Sequence, residues 1–376
     1  MQRHVAIDLM RRAITVAENQ WPEMAEAHME VPLDYFTNEG VAAKERELFE
    51  TSPLALIASS EIANPHDYLV RNAVGRSVLL TRDEDGVAHA FLNYCRHRGA
   101  EPAHGCGNAR RFTCPYHAWS YDTEGRLVTI PDDFGFEGLD RARHGLIPLP
   151  VEEQHGLVWV SPDPQGSVRV GELLGGLGDD LEAYGIASFV HQETRVLRRR
   201  MNWKLVSDTF WEAYHLHVLH RKNVGPLFVR NLALFEAFGR CHRLIGVHRS
   251  IERLRALPER EWSLVPHATI LMNLFPNTVL VMQSDHAEVY RIFPAPDRVN
   301  ESLAAVSLLV PDPGPHWART MELLIGVVEQ DLALGEGIQR SFESGAIAHV
   351  TYGRFEPALE HFHRTIREAL AARAGR

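Results

Sequence analysis

Two short stretches of the sequence each pair one cysteine with one histidine, and this pattern constrains the fold more than any other feature. Cys95-x-His97 comes first, and Cys114-x2-His117 follows after sixteen intervening residues. The chain contains only four cysteines in 376 residues, so half of them lie in these two knuckles. In a reducing compartment, cysteines beside histidines indicate metal binding before disulfides. We therefore expect two loops that together hold a metal.

The order of the ligands distinguishes between metals. Zinc sites with two cysteines and two histidines usually place Cys with Cys and His with His. The mixed order found here suits a Rieske-type [2Fe-2S] cluster, in which one iron binds both thiolates and the other binds both imidazoles. The pattern predicts that Cys95, His97, Cys114 and His117 hold such a cluster, and a structural zinc site is the alternative.

The residues around the knuckles are basic, whereas the chain as a whole is acidic. Four arginines flank the two motifs: Arg96, Arg98, Arg110 and Arg111. They either steer an acidic electron-donor protein toward the cluster or form a solvated rim. The two remaining cysteines, Cys106 and Cys241, stand alone and are interpreted as small buried residues rather than ligands.

Length and composition are those of a two-domain globular protein. The chain exceeds what one core usually covers, and 45% of its residues are hydrophobic and 23% charged. The formal net charge of −10 disfavours binding to nucleic acid or to anionic membranes. The N-terminus has no signal-peptide pattern, and no apolar run reaches the roughly 18 residues that cross a bilayer. We therefore expect a cytoplasmic protein.

The periodicity of hydrophobic residues predicts two domains and an α+β fold class. Short β runs characterise residues 50–165, including two runs joined by the tight-turn pair Asp85-Gly86, and they predict a β-rich domain. The later part mixes helical and strand periods, with predicted helices at 170–185, 201–220 and 316–345 and antiparallel strands at 277–296 and 302–311. Since the N-terminus is also helical, residues 1–49 and 166–376 are expected to form one mixed domain, with the β-rich part as an insertion.

A second group of polar residues lies between residues 208 and 220. On a helix, Asp208, Glu212 and His215 share one face. An ideal helix pairs His217, rather than His215, with His220, so helix geometry leaves the choice of metal ligands open. The Glu212-x2-His215 spacing also occurs in di-iron carboxylate sites, but it is weak evidence because it recurs elsewhere in this chain.

Oxygen activation by a single Fe(II) requires two histidines, one carboxylate and open positions for O2 and substrate. A carboxylate from another part of the chain must complete such a site here. Asp331 is a candidate, because it lies in a predicted late helix among apolar residues, where an unpaired acid is costly. The alternative is that Asp331 is a surface acid on an amphipathic helix.

Beyond these patterns, the chain resembles the α subunits of Rieske non-haem iron oxygenases, the aromatic ring-hydroxylating family, over nearly its whole length. The motifs that carry the resemblance are NYCRHRGA, CPYHAWSYDTEGRL, NWKLVSDTFWEAYHLHVLH and EQDLALGEGIQ. The resemblance implies a β-rich Rieske [2Fe-2S] domain plus a helix-grip catalytic domain, in which helices cover an antiparallel sheet. It also implies a mononuclear Fe(II) bound by His215, His220 and Asp331, with His217 not a ligand.

The resemblance further implies roles for two acids. Glu212 falls at the bridging acid, which links an iron-ligand histidine to a cluster histidine of the neighbouring subunit in a trimer, with or without a β subunit. Glu212 replaces the Asp of many ring dioxygenases and looks like the branch that includes carnitine and related quaternary-ammonium oxygenases. Asp208 stands where naphthalene-type enzymes carry Asn. Glu212 and Asp208 are thus assigned to the catalytic machinery.

The family resemblance implies a terminal oxygenase component. An external reductase or ferredoxin would pass electrons from NAD(P)H to the Rieske cluster and on to Fe(II), which activates O2 and hydroxylates a small organic substrate. Family frequency and the apolar stretch 225–238, which lines a pocket or forms core or subunit contact, favour an aromatic substrate and a role in aromatic hydrocarbon catabolism. The alternatives are oxidative demethylation or monooxygenation of a quaternary-ammonium or other non-aromatic molecule, a Rieske electron-transfer protein, and a zinc-stabilised binding module.

Overall fold

The protein divides into two compact units. The structure is a computed structural model and describes residues 1–373. The larger unit comprises Met1–Arg46 together with the chain from Gly171 onward, and the smaller unit is Glu47–Val170. Within the described residues, no helix combines the length and the apolarity needed to cross a bilayer.

The N-terminal segment is helical, as its apolar spacing predicts. Its elements are α1 (Arg3–Asn19), β1 (Met29–Pro32), α2 (Asp34–Thr37) and α3 (Glu39–Thr51). The buried positions of α1 follow a helical period: Leu9, Met10, Ala13, Val16 and Ala17. One face of α1 is therefore apolar and packs into the core of the larger unit.

The smaller unit consists of short antiparallel strands. They are β2 (Leu54–Ala58), β3 (Asp67–Ala73), β4 (Arg76–Arg82), β5 (Ala88–Leu92), β6 (Cys106–Asn108), β7 (Arg111–Thr113), β8 (Ser120–Asp122), β9 (Leu127–Thr129), β10 (Val151–Gln154) and β11 (Leu157–Val160). They form one four-stranded sheet, β5-β4-β3-β6, and two three-stranded sheets, β10-β11-β2 and β7-β8-β9. The β-rich character predicted from the sequence is confirmed.

One turn in this unit differs from the prediction. The sequence suggested two β runs joined at Asp85-Gly86, but the first of these runs is itself a hairpin, β3–β4. The hairpin turns at Val74-Gly75, where both residues have positive φ values of 52° and 87°. Valine rarely adopts this conformation, so the sequence carries only half of the usual turn signal.

The rest of the larger unit consists of a seven-stranded sheet and the helices that precede, interrupt and follow its strands in the chain. Its elements are α4 (Val170–Leu174), α5 (Leu177–Ala183), β12 (Val190–Arg199), α6 (Trp203–Asp208), β13 (Phe228–Phe238), β14 (Cys241–His248), β15 (Ala268–Leu274), β16 (Thr278–Met282), β17 (Ala287–Pro294), β18 (Ser302–Val310), α7 (Ala318–Glu343), β19 (His349–Tyr352) and α8 (Pro357–Ala371). Seven antiparallel strands pair in the order β12-β18-β17-β16-β15-β14-β13. This arrangement confirms the predicted α+β class.

The helix predicted at 201–220 is wrong beyond Asp208. Helix α6 ends at that residue, and residues 209–220 form a series of turns. The side chain of Glu212 accepts hydrogen bonds from the backbone N–H groups of Tyr214 and His215. A carboxylate that takes these donors replaces the i−4 carbonyls that a continuing helix would need. The periodicity did not reveal this competition.

Candidate metal centres

The two cysteine and histidine knuckles form equivalent loops in the smaller unit. Cys95 and His97 follow β5, and Cys114 and His117 lie between β7 and β8. In the first loop Gly99 N–H donates to the Cys95 carbonyl at 2.8 Å; in the second, Ala118 N–H donates to the Cys114 carbonyl at 2.9 Å. The same backbone turn thus presents one thiol and one imidazole from each loop.

The four side chains come together as two pairs, the thiols of Cys95 and Cys114 and the imidazoles of His97 and His117. Both cysteines are 3% exposed, and the imidazole rings of His97 and His117 have centroids 4.6 Å apart. Nδ1 of each histidine is buried and has no hydrogen-bond partner among the described residues. Buried polar atoms without partners are costly, and two of them facing one site are accounted for by metal ligation. The donor set therefore fits a Rieske [2Fe-2S] cluster held by Cys95, His97, Cys114 and His117.

Neighbouring side chains support these ligands. The Tyr121 hydroxyl lies 3.3 Å from Cys95 Sγ and accepts a hydrogen bond from the Arg96 N–H at 2.9 Å. The His97 ring stacks on Trp119 at 4.9 Å. Burial and the nearby His117 lower the pKa of His97, which favours the neutral imidazole that a metal ligand needs. The four flanking arginines are all exposed.

The larger unit contains a second set of convergent ligand atoms. His215 and His220 lie in the turns after α6, and Asp331 lies in the middle of α7. One ligand atom from each of the three side chains lies within 4.8 Å of the others. His220 Nε2 is 2.9 Å and His215 Nε2 is 3.6 Å from Asp331 Oδ1. Two imidazoles and one carboxylate at this spacing fit a mononuclear Fe(II) with open positions.

Each of these histidines is oriented through its other ring nitrogen. His215 Nδ1–H donates to the Glu212 carboxylate, and His220 Nδ1 lies 3.3 Å from the amide oxygen of Gln330. Both contacts leave Nε2 directed toward Asp331, which is the arrangement that fixes the tautomer of a ligand histidine. Burial lowers the pKa of His215, but Glu212 and Asp331 raise it by more. Sequence reasoning missed Gln330, whose only signal is its position beside Asp331.

Two other residues from the sequence analysis lie outside this set. Asp208 accepts a hydrogen bond from the Tyr352 hydroxyl at 2.7 Å, and its other oxygen is 3.0 Å from His363 Nε2. His217 is not among the convergent ligand atoms of the described residues. The structure thus brings Glu212 into contact with a ligand histidine and places Asp208 in a separate polar contact.

A pocket of about 540 Å³ opens beside these three residues. His215, His220 and Asp331 all line it. Its walls are mainly apolar, and come from α7, from the sheet and from the turns after α6: Phe210, Leu216, Leu227, Phe228, Leu244, Leu271, Val281, Leu323, Leu324, Val327 and Val328. A mostly apolar cavity with a few polar groups is typical of a small-molecule site. The stretch 225–238 contributes Leu227 and Phe228 to this lining.

Sequence reasoning also missed a polar cluster in the pocket wall. Glu288 and Tyr290 are two residues apart on β17, so their side chains point to the same face of the sheet, the one that lines the pocket. The Tyr290 hydroxyl donates to Glu288 at 2.5 Å, and the Gln283 amide donates to the same carboxylate at 3.1 Å. The signal that the sequence did contain is an acid near the start of a mostly apolar, buried strand, since such acids need partners.

Two family models match this chain. The Rieske [2Fe-2S] domain model matches residues 52–135, and the model of the ring hydroxylating alpha subunit catalytic domain matches residues 186–372. Each match contains the candidate ligands described above for its unit.

Curated relatives and solved structures agree with these models. The carnitine monooxygenase oxygenase subunit of Acinetobacter baumannii is 33% identical over 193 residues, which is 50% of this chain and 52% of that protein. The chain thus matches about half the length of this relative. The glycine betaine monooxygenase oxygenase subunit of Chromohalobacter salexigens is 27% identical over 370 residues, covering 86% of this chain and 82% of that protein. A crystal structure of a quaternary ammonium Rieske monooxygenase with an inhibitor has a TM-score of 0.80 at 24% identity, covering 94% of this chain and 97% of that chain.

Proposed function

We propose that this chain, which belongs to the Rieske non-haem iron oxygenase α-subunit family, is a terminal oxygenase component that hydroxylates a small quaternary-ammonium compound or a related organic amine. The observation that carries the proposal is the position of His215, His220 and Asp331 on the wall of the pocket. A ligand in the pocket would lie directly beside the metal-binding atoms. A Rieske cluster supplies single electrons, and a ferrous ion held by two histidines and a carboxylate supplies open positions for O2.

The protein's own side chains prepare this site. Glu212 and Gln330 hold the two imidazoles with Nε2 directed inward. The apolar walls exclude water from around the substrate, which strengthens electrostatic interactions inside the pocket. In this proposal Glu212 also faces the cluster of a neighbouring subunit, so that electrons cross a subunit boundary in a homotrimer.

The electron supply is proposed to be a separate protein. The sequence shows no nucleotide-binding fingerprint, so a reductase or ferredoxin is expected to bring electrons from NAD(P)H. The exposed arginines beside the knuckles are candidates for its docking surface. A cytoplasmic location belongs to the same proposal, since reductase and NAD(P)H would both be available there.

The substrate class follows the relatives rather than our first expectation. Family frequency and the apolar stretch 225–238 favour an aromatic substrate, with a quaternary-ammonium compound as the alternative. The relatives named for carnitine and glycine betaine support that alternative better. Glu212, which takes the place of Asp in many ring dioxygenases, also supports it.

The test combines metal content with oxygen consumption. Purified protein should contain a [2Fe-2S] cluster and a further iron, and with a surrogate reductase it should consume O2 only when a suitable amine is added. Zinc in place of iron would contradict the proposal, as would a failure of amines, betaines and aromatic acids alike to stimulate O2 uptake. If aromatic acids alone stimulate O2 uptake, the substrate is an aromatic compound rather than an amine.

A further inference from the structure

Among the Asp, Glu, Lys and Arg residues of the described chain, those that line the pocket are all acidic. Three carboxylates line it, those of Glu212, Glu288 and Asp331, and none of the described lining residues is a lysine or an arginine. Glu212 contacts His215, and Asp331 contacts both ligand histidines. Glu288 is the remaining acid, and it lies on the sheet side of the pocket rather than among the metal-binding residues.

Glu288 is the acid that faces the pocket from the sheet. Its side chain accepts hydrogen bonds from Tyr290 and Gln283, which are neutral donors. Among the described residues that line the pocket, the side chain that pairs with Glu288 is His286, whose Nε2 is 3.4 Å from Glu288 and whose Nδ1 is 2.7 Å from Asp285. Burial lowers the pKa of His286, but Glu288 and Asp285 raise it by more. His286 is thus shared between two acids, of which Glu288 lines the pocket and Asp285 does not.

Aromatic rings lie next to this charge. The rings of Phe210 and Tyr290 have centroids 4.6 Å apart, and both side chains line the pocket. The face of an aromatic ring attracts an organic cation, and the attraction grows when water is excluded. A quaternary ammonium group has no N–H to donate, so rings and a nearby carboxylate are the groups that stabilise it.

A zwitterionic substrate would meet a different environment. The carboxylate of a betaine needs a cation or several hydrogen-bond donors once it leaves water. Apart from the proposed iron, which would already be bound by Asp331, the described lining offers no lysine or arginine, and His286 is shared between two acids. A second carboxylate close to Glu288 would also be repelled.

We infer that the pocket selects an organic cation without a carboxylate, with its ammonium group beside Glu288, Phe210 and Tyr290 and its apolar body along Leu324, Val327 and Val328. This inference rests on the proposed function, because it narrows the substrate class of the same site. Carnitine and glycine betaine both carry a carboxylate. The inferred substrate therefore differs from the compounds for which those two relatives are named.

The test is a matched pair of ligands that differ by one carboxylate. Calorimetric titration of the iron-loaded protein with hexyltrimethylammonium and with N-hexyl-N,N-dimethylglycine should give a Kd at least about tenfold lower for the cation, as expected when one charge is left unpaired. Glu288→Gln should weaken cation binding by about tenfold and remove most of the preference. Glu322→Gln, which changes an exposed acid on α7, is the charge-matched control and should bind like the wild type.

Several outcomes would overturn the inference. These are equal affinity for both ligands, tighter binding of the betaine, no binding of either, or a preference that survives in a folded Glu288→Gln protein. If that variant does not fold, the wild-type comparison alone decides. O2 uptake with the same ligands separates the proposed oxygenase activity from the inferred charge selection. Uptake driven by the betaine would support the oxygenase activity and contradict the charge selection. Tight cation binding without O2 uptake by any ligand would support the charge selection and contradict the oxygenase activity.

Discussion

His215 Nδ1 is hydrogen-bonded to the Glu212 carboxylate while Nε2 of the same ring lies 3.6 Å from Asp331. One acid therefore orients the imidazole and another lies at its metal-facing side. Only two residues lie between Glu212 and His215 in the chain, so a single turn is sufficient to build this contact.

Glu212→Gln tests the orienting acid. Glutamine keeps the size and an accepting oxygen but removes the charge, so we expect iron content and cluster spectrum near those of the wild type and turnover lower by at least about tenfold. Metal analysis and O2 uptake with a reductase measure the two properties. Glu322→Gln is the control, and normal turnover in Glu212→Gln would exclude a role for the charge.

Asp331→Ala tests the carboxylate ligand. The variant should lose the mononuclear iron and all substrate-dependent O2 uptake but keep the absorption and EPR spectra of the cluster, because the cluster ligands lie in the other unit. Iron quantitation distinguishes one lost iron from three. If the protein were an electron carrier that has the cluster but no mononuclear iron, Asp331→Ala would keep full electron-transfer activity and an unchanged iron content. That result would contradict the assignment of Asp331 as a ligand.

The cluster knuckles and the metal ligands differ in how far the sequence alone could predict them. Cys95-x-His97 and Cys114-x2-His117 are local patterns, and each lies within a single turn, so spacing alone predicted their chemistry. Asp331 lies more than a hundred residues from His220 in the chain, and local periodicity could not bring the two together. Its place among apolar residues of a predicted helix made Asp331 a candidate, and the family resemblance gave it the role of an iron ligand.

In the segment between α6 and β13, a local pattern predicted a structure that does not form. Its apolar and polar residues have a helical period, yet residues 209–220 form turns, because Glu212 binds backbone N–H groups that a helix would need. The pocket-facing Glu288 was also missed. Its partner Tyr290 is two residues along the same strand, but Gln283 is brought to it by the pairing of β16 with β17. Side-chain partners of this kind are tertiary information.

Tyr121→Phe tests the environment of the cluster. The phenol hydroxyl lies 3.3 Å from Cys95 Sγ, and hydrogen bonds to cluster sulfurs raise the reduction potential. We expect the variant to assemble its cluster with a lower potential, measured by redox titration followed by EPR. Tyr116→Phe is a matched control because Tyr116 is 59% exposed. An unchanged potential in Tyr121→Phe would show that the hydroxyl does not reach the sulfur.

Lys204→Met tests a buried ion pair in the larger unit. Lys204 is fully buried and contacts Glu45, which also accepts a hydrogen bond from Trp203 Nε1 at 2.8 Å. Removing the lysine leaves a buried charge, so we expect a loss of about 3–5 kcal/mol in the free energy of unfolding. The double variant with Glu45→Gln should recover most of this loss, because glutamine still accepts from Trp203. Denaturant titration followed by tryptophan fluorescence measures both, and equal stability of single and double variants would contradict the pair.

His248→Gln tests the acid sensitivity of the fold. Burial lowers the pKa of His248 from 6.5 to about 4. Above pH 6.5 the residue is neutral in both states; as the pH falls from 6.5 to about 4, the unfolded state binds a proton that the folded state excludes, so stability is lost in this window, by about 3 kcal/mol at most.

The substitution removes the titrating group while a side-chain amide remains available to Thr269, the partner of His248 at 3.0 Å. The unfolding free energy of His248→Gln should therefore fall less than that of the wild type between pH 7.5 and pH 4.5. Identical slopes for the two proteins would place the acid sensitivity elsewhere.

Helix α7 carries Asp331 and, one to three turns earlier, the wall residues Thr320, Leu324, Val327 and Val328. Since each residue advances the helix by about 1.5 Å, Thr320 lies about 16 Å from the ligand along one rigid rod. Side chains at the distant positions can change in size or polarity without displacing the carboxylate. Substrate range can therefore diverge by point mutation in descendants of this chain while the oxygen-activating end stays the same.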